Sequence, residues 1–157
     1  MRGLKVLPLL LVLSGHARPA DPEANCQKPT TTYDFNICGD REAARVKQEM
    51  NQYLEASRRR LQQDAEALAA LNESQKAWEA YMGSQCNAIY TRWRDGTIRG
   101  PKGAACVVAL TRMRTHELWA EWLTSMDSSP PALPEPSTRC DEWSAYSSTA
   151  CRRAREK

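Results

Sequence analysis

Two long stretches of this sequence carry apolar residues at spacings of three and four, and that pattern leaves little open except a helical fold. The first is Val46, Met50, Leu54, Ser57 and Leu61, with charged residues between. The second is Leu68, Leu71, Gln75, Trp78, Met82, Cys86, Ile89 and Trp93, one face held for about seven turns at 3.6 residues per turn. Asp40 stands as an N-cap for the first helix, which is expected to begin after Cys38. Around residues 62–66 the chain either breaks, with Asp64 capping a second helix, or continues. The Asp95-Gly96 pair ends the second helix, and a third is expected from about Ala104 to Ser125, where neither Gly nor Pro interrupts. The fold class is therefore all-α: a small bundle of three main helices with a long antiparallel hairpin, stapled by disulfides.

The staples are read from six cysteines, Cys26, Cys38, Cys86, Cys106, Cys140 and Cys151. Six cysteines allow 15 pairings, and the sequence alone does not choose among them. Neighbours in sequence are the economical arrangement: Cys26 with Cys38, Cys86 with Cys106, and Cys140 with Cys151. Each such loop is worth roughly 3 kcal/mol in the chain-entropy model. Disulfides imply an oxidising compartment, and the N-terminus agrees. Arg2 and Lys5 precede an apolar run from Val6 to Leu13, followed by Ser14-Gly15-His16-Ala17. This is the layout of a cleaved signal peptide, residues 1–17, and the run is shorter than the roughly 20 residues a membrane span needs. The expected location is periplasmic or secreted, without a lipid anchor, since His16 stands where a lipoprotein has its cysteine.

The rest divides into a helical domain at 18–126, a stiff proline-rich linker at 127–137 and a C-terminal tail at 138–157 with the third cysteine pair. Leu110 and Trp119 lie nine positions apart, on opposite sides of the third helix, so both of its faces need cover. The tail is expected to dock on the Trp119 side. Net charge is +3, and loss of Arg2 and Lys5 leaves 20 basic against 19 acidic side chains. A balance this even gives no footprint for nucleic acid or membrane.

Catalytic chemistry finds few candidates. Beyond the signal the one histidine is His116, which sits inside the third helix and reads as a core-edge residue rather than a base. Zinc spacings, phosphate loops and nucleotide fingerprints are missing, so no metal or cofactor is expected. Glu66, Glu73 and Glu79 could face Glu117 and Glu121 across two helices, but glutamates at such spacing are ordinary surface residues. The expectation is a binding protein, not an enzyme. What stands out is the connection at 92–103, where Arg92, Arg94, Arg99 and Lys102 accompany Trp93, several glycines and a single acid, Asp95. As plain structure this is a solvated turn. Rooted on a Cys86 to Cys106 bridge, it could also enter an acidic cleft at little ordering cost.

Three segments carry a family resemblance: Asp34-Phe35-Asn36-Ile37-Cys38; Gln75-Lys76-Ala77-Trp78-Glu79-Ala80-Tyr81 with Cys86 behind it; and the run from Cys106 through Leu110-Thr111, Arg114-Thr115 and Glu117-Leu118. Together they resemble the LprI-type lysozyme inhibitor N-terminal domain family over Cys26 to about Leu123. The chain departs from the family's pattern at Met82-Gly83, where Arg-Asp is common. The resemblance implies an exported, disulfide-bonded helical domain and, for some members, inhibition of lysozyme. It makes a lysozyme-like enzyme the expected protein partner, contacted through Arg92, Arg94, Arg99 and Lys102. An envelope adaptor that binds another periplasmic protein without inhibiting it is the alternative.

Overall fold

The computed structural model describes residues 23–126 and 129–137. These residues form three helices and, among them, no strand: α1 at Thr32–Arg60, α2 at Ala65–Arg92 and α3 at Arg99–Leu118, which runs on into a π-helical turn at Trp119–Leu123. The all-α expectation is met.

The first helix starts earlier than Asp40. Thr31 is its N-cap: its hydroxyl accepts from the Asp34 amide at 3.1 Å, and the Asp34 carboxylate accepts in return from the Thr31 amide at 3.1 Å. This reciprocal pair is a capping box, with aspartate in the usual place of glutamate. Asp34 also takes the amides of Asn25 at 2.9 Å and Thr30 at 3.3 Å. Asp40 is left as an exposed residue within the helix. With its first turn so well supplied, α1 begins before the disulfide, and Cys26–Cys38 clips the lead-in onto its second turn.

The apolar stripe of α1 lies inside as expected: Val46, Met50, Leu54 and Ser57 are buried, together with Tyr53 and Ala56. Ser57 keeps its hydroxyl satisfied by donating to the Tyr53 carbonyl at 2.9 Å. The chain breaks after Arg60, and Asp64 caps α2 by accepting from the Ala67 amide at 3.0 Å. The core gathers Met50, Tyr53, Leu54, Leu71, Leu118 and Leu123, against which Trp78, Trp119 and Trp122 pack. Each of the three fully buried leucines contributes about 1.5–3 kcal/mol by leaving water.

Helix α3 is the element that packs on both others. Its pairs with α2 descend one helix as they climb the other: Gln75 with Arg114, Met82 with Thr111, Cys86 with Cys106 and Tyr90 with Arg99. These two form the antiparallel hairpin. Against α1 it runs parallel, with Gly100 at Asn36 and Arg112 at Glu42, the latter an ion pair of 2.5 Å.

Helix α3 differs from the sequence expectation at its start. It starts at Arg99 rather than Ala104, because Pro101 falls within the first turn, where a missing backbone N–H costs little. On the Trp119 side, cover comes from the proline-rich stretch itself. Residues 129–137 have no regular secondary structure, bend at Ala132 and Leu133, and lie on the helices as a strap: Ala132 donates to the Leu123 carbonyl at 3.1 Å, the Trp119 indole to the Leu133 carbonyl at 3.0 Å and the Tyr53 hydroxyl to the Pro134 carbonyl at 2.8 Å. Burial, with the charge of Glu49 nearby, raises the Tyr53 hydroxyl's pKa and keeps it a donor. The signal segment, the tail expected at this face and the pair Cys140 and Cys151 lie outside the described residues.

Candidate partner-binding surface

The residues that carried the family resemblance build the helix seams. Arg114, 8 % exposed, donates from Nε to the side-chain Oε1 of buried Gln75 at 3.1 Å, from Nη2 to Ser74 Oγ at 3.1 Å and from Nη1 to Glu117 at 3.3 Å. Thr115 donates to the Thr111 carbonyl at 2.8 Å, and Leu118 is fully enclosed. Asn36 lies against Gly100 so closely that a Cβ at that position would overlap its amide group. The candidate carboxylates have neighbours of this structural kind too: Glu79 accepts from Gln75, Glu117 holds Arg114 and Glu73 sits 3.8 Å from Lys76. His116 is half-buried beside Trp119, with Glu135 of the strap at 3.2 Å. Among the described residues no three of His, Cys, Asp and Glu come together in a metal-holding group.

The exposed chemistry collects instead at the α2–α3 end. Residues 93–98 make the connection, closed by the Arg94 amide on the Thr91 carbonyl at 3.1 Å and the Gly96 amide on Trp93 at 2.9 Å. It is shorter than the loop expected at 92–103, since Arg99 and Lys102 belong to the first turn of α3. Both side chains fold back on aromatic rings. The Arg99 guanidinium lies 5.5 Å from the Tyr90 ring centre and donates to the Arg94 carbonyl at 3.3 Å, and the Lys102 ammonium lies 5.4 Å from that of Trp93. Cation–π contacts at such exposed sites are worth about 0.5–1 kcal/mol each, enough to bias a rotamer. The Tyr90 ring lies beside Gly103 of α3, and Cys86–Cys106 closes the stem.

All four basic residues singled out in the sequence thus stand at one end of the molecule, in different roles. Arg94 and Arg99 line an open cleft of about 510 Å³ shared with Thr32 and Asn36 of α1, Tyr90, Asp95 and Gly100. Arg92 is exposed on the last turn of α2 and Lys102 covers Trp93. Sequence reasoning found Trp93 but missed Tyr33, Tyr90 and Ile98 and the contribution of α1. Tyr33, Tyr90, Trp93 and Ile98 are each 37–42 % exposed around this end. The signals available for them were Asn36 in the Asn-x-Cys segment and the tyrosine three residues before Trp93.

The electrostatics of this end are one-sided. The N-terminus of α3 has no side-chain cap and no acidic residue in its first turn, yet carries Arg99 and Lys102. Helix dipole and side-chain charge therefore add, and both favour an anion. Among the described residues Asp95 is the one carboxylate lining the cleft, 3.9 Å from Arg94 and largely in solvent.

Fold and surface together define a class: a disulfide-stapled helical bundle whose exposed chemistry is a basic, aromatic tip. Residues 23–118 match the family model described as "Lysozyme inhibitor LprI", and the chain belongs to that family. It is 32 % identical over 123 residues to an uncharacterized protein of Rhizobium meliloti (strain 1021), an alignment covering 71 % of this chain and 88 % of the relative. No solved structure matches. The family match ends at the last residue of α3, so the π turn and the strap fall beyond it. None of the helices described is long and apolar enough to cross a membrane.

Proposed function

We propose that the protein is exported and inhibits a lysozyme-type peptidoglycan glycosidase, with the α2–α3 end as its contact surface. The observation that carries this reading is the composition of that end. Four of the seven exposed large hydrophobic residues described, Tyr33, Tyr90, Trp93 and Ile98, surround Arg92, Arg94, Arg99 and Lys102. Tyr, Trp and Arg are the residues in which interface hot spots are richest. The disulfide stem and the cation–π contacts fix the surface before a partner arrives, which lowers the ordering cost of binding. Membership of the LprI family supports the choice of target. A glycosidase cleft depends on a carboxylate pair, one member protonated and the other ionised. Guanidinium groups placed there would hold both ionised and take the general acid out of its working state. The chain acts as a binding protein in this reading and performs no chemistry. Two disulfides among the described residues, and the signal-like N-terminus, fit an oxidising location such as the periplasm.

The test is the clearing rate of a cell-wall suspension by lysozyme, with and without the purified oxidised protein. Saturable slowing at stoichiometric excess is the expected outcome. If clearing is unchanged for c-type, g-type and bacterial muramidases alike, the inhibitory reading falls, and the partner should be sought as for an envelope adaptor.

A further inference from the structure

The cleft at the α2–α3 end is concave, and that shape separates two kinds of contact. A recessed carboxylate pair can be reached by groups that project, such as Arg92 or the Trp93 and Lys102 stack. A hollow lined by Thr32, Asn36, Tyr90, Arg94 and Arg99 can only receive something that projects toward it. We infer that this cleft is a receptor for one acidic side chain standing out from the partner's surface. This rests on the tip being the contact surface, and it assigns a separate task to the two arginines that line the cleft.

Three features suit the cleft to a carboxylate. The Arg99 guanidinium is held in place on two sides, by the Tyr90 ring and by the Arg94 carbonyl, and among the described residues it bonds through one Nη, so its planar fork keeps further donors for a bidentate acceptor. Arg94 is held less firmly: among the described residues its ion pair is the long 3.9 Å approach to Asp95, and its side chain is exposed, so it is free to turn toward a bound anion. That approach also shows a carboxylate sharing this hollow, with its own side chain 90 % exposed. Asp95 acts as an internal competitor: its carboxylate holds Arg94 loosely in the free protein and gives way when the partner's acid arrives. Gly100 fixes the floor, since its lack of a side chain brings Asn36 to the edge of the site.

The competitor gives a test in which two conservative substitutions move binding in opposite directions. Arg99→Lys keeps the charge but loses the stacked fork, and is expected to weaken affinity for a c-type lysozyme about tenfold. Asp95→Asn keeps the shape but removes the competitor, and is expected to tighten affinity roughly two- to fivefold. Both positions are exposed, so the fold should tolerate either change. A second arm needs no lysozyme: the full oxidised chain is titrated with sodium acetate while the arginine Nε–H resonances are followed by NMR, sodium chloride serving for ionic strength. Saturable shifts at Arg94 and Arg99 with acetate, absent at Arg59 and absent with chloride, are expected. Shifts that follow ionic strength alone, or Asp95→Asn weakening binding as Arg99→Lys does, would overturn the receptor. If acetate binds at the cleft while no muramidase is inhibited, the receptor stands and the inhibitory reading falls. If inhibition holds and Arg99→Lys leaves it untouched, the reverse is true.

Discussion

Replacing Arg114 with methionine removes the guanidinium but keeps most of the apolar stem, so the expected loss can be worked from three hydrogen bonds. Gln75 is 3 % exposed, and its side-chain Oε1 would be left without the donor now at 3.1 Å. An unsatisfied buried acceptor costs about 1–3 kcal/mol. Ser74 and Glu117 are exposed, and water can replace Arg114 at both, so these two bonds add at most about 1 kcal/mol. The total is about 1–4 kcal/mol, or roughly 3–12 °C in Tm for a chain of this size. Adding Gln75→Leu removes the orphaned acceptor, and the double variant should recover at least half of the loss. The assay is thermal unfolding of the oxidised wild type, both single variants and the double variant, with a coupling of about 1 kcal/mol or more expected between the sites. Inhibition by the folded fraction should be unchanged in all four, because this network lies inside the α2–α3 seam. A Tm for Arg114→Met within 2 °C of wild type, or a double variant no better than the single, would refute the structural role. A folded Arg114→Met that fails to inhibit would move the functional surface from the tip to the helix seam.

Three other perturbations probe the frame. Asp34 is held at a pKa of about 2, chiefly by the Asn25 amide and then by the Thr31 hydroxyl and amide, against an ordinary value of 3.8. Its contribution is therefore complete above about pH 4 and lost as pH falls through about 2; Asp34→Asn should flatten the stability profile in that window of an acid titration. Tyr53→Phe frees the Pro134 carbonyl and should cost about 1 kcal/mol, with faster hydrogen exchange at the Ala132 amide as the strap loosens. Converting Cys86 and Cys106 together to serine should cost about 3 kcal/mol by the chain-entropy model and weaken inhibition beyond the loss of folded protein; an unchanged inhibition constant would mean that the stem's rigidity is not used.

Helix periodicity was legible because it follows from burial. Val46, Met50, Leu54 and Ser57, and on α2 Leu71, Gln75 and Cys86, all lie on the inner faces that their spacing indicated. Two of the three neighbouring cysteine pairs, Cys26 with Cys38 and Cys86 with Cys106, are joined in the structure. Boundaries were less legible, because Thr31 and Pro101 act through local backbone geometry that a hydrophobic pattern does not record. The strap escaped for a related reason. A proline-rich stretch reads as a spacer from composition, while its docking depends on carbonyls of Leu133 and Pro134 meeting Trp119 and Tyr53 from other parts of the chain. At the tip, charge and Trp93 could be read directly. The cleft could not, since it needs α1 to bring Thr32 and Asn36 beside Gly100, a parallel pairing of α1 and α3 that no short motif encodes.

The most direct measurement is the inhibition constant against lysozyme of the wild-type protein, of the charge-reversed pair Arg94→Glu with Arg99→Glu, and of Lys76→Ala on the outer face of α2 as control. The expected result is inhibition by wild type and control alike, and at least a hundredfold loss for the reversed pair, with unchanged far-ultraviolet circular dichroism in all three. Equal inhibition by the reversed pair, or none by a folded and fully oxidised wild type, would contradict the assignment of the α2–α3 end as an inhibitory surface.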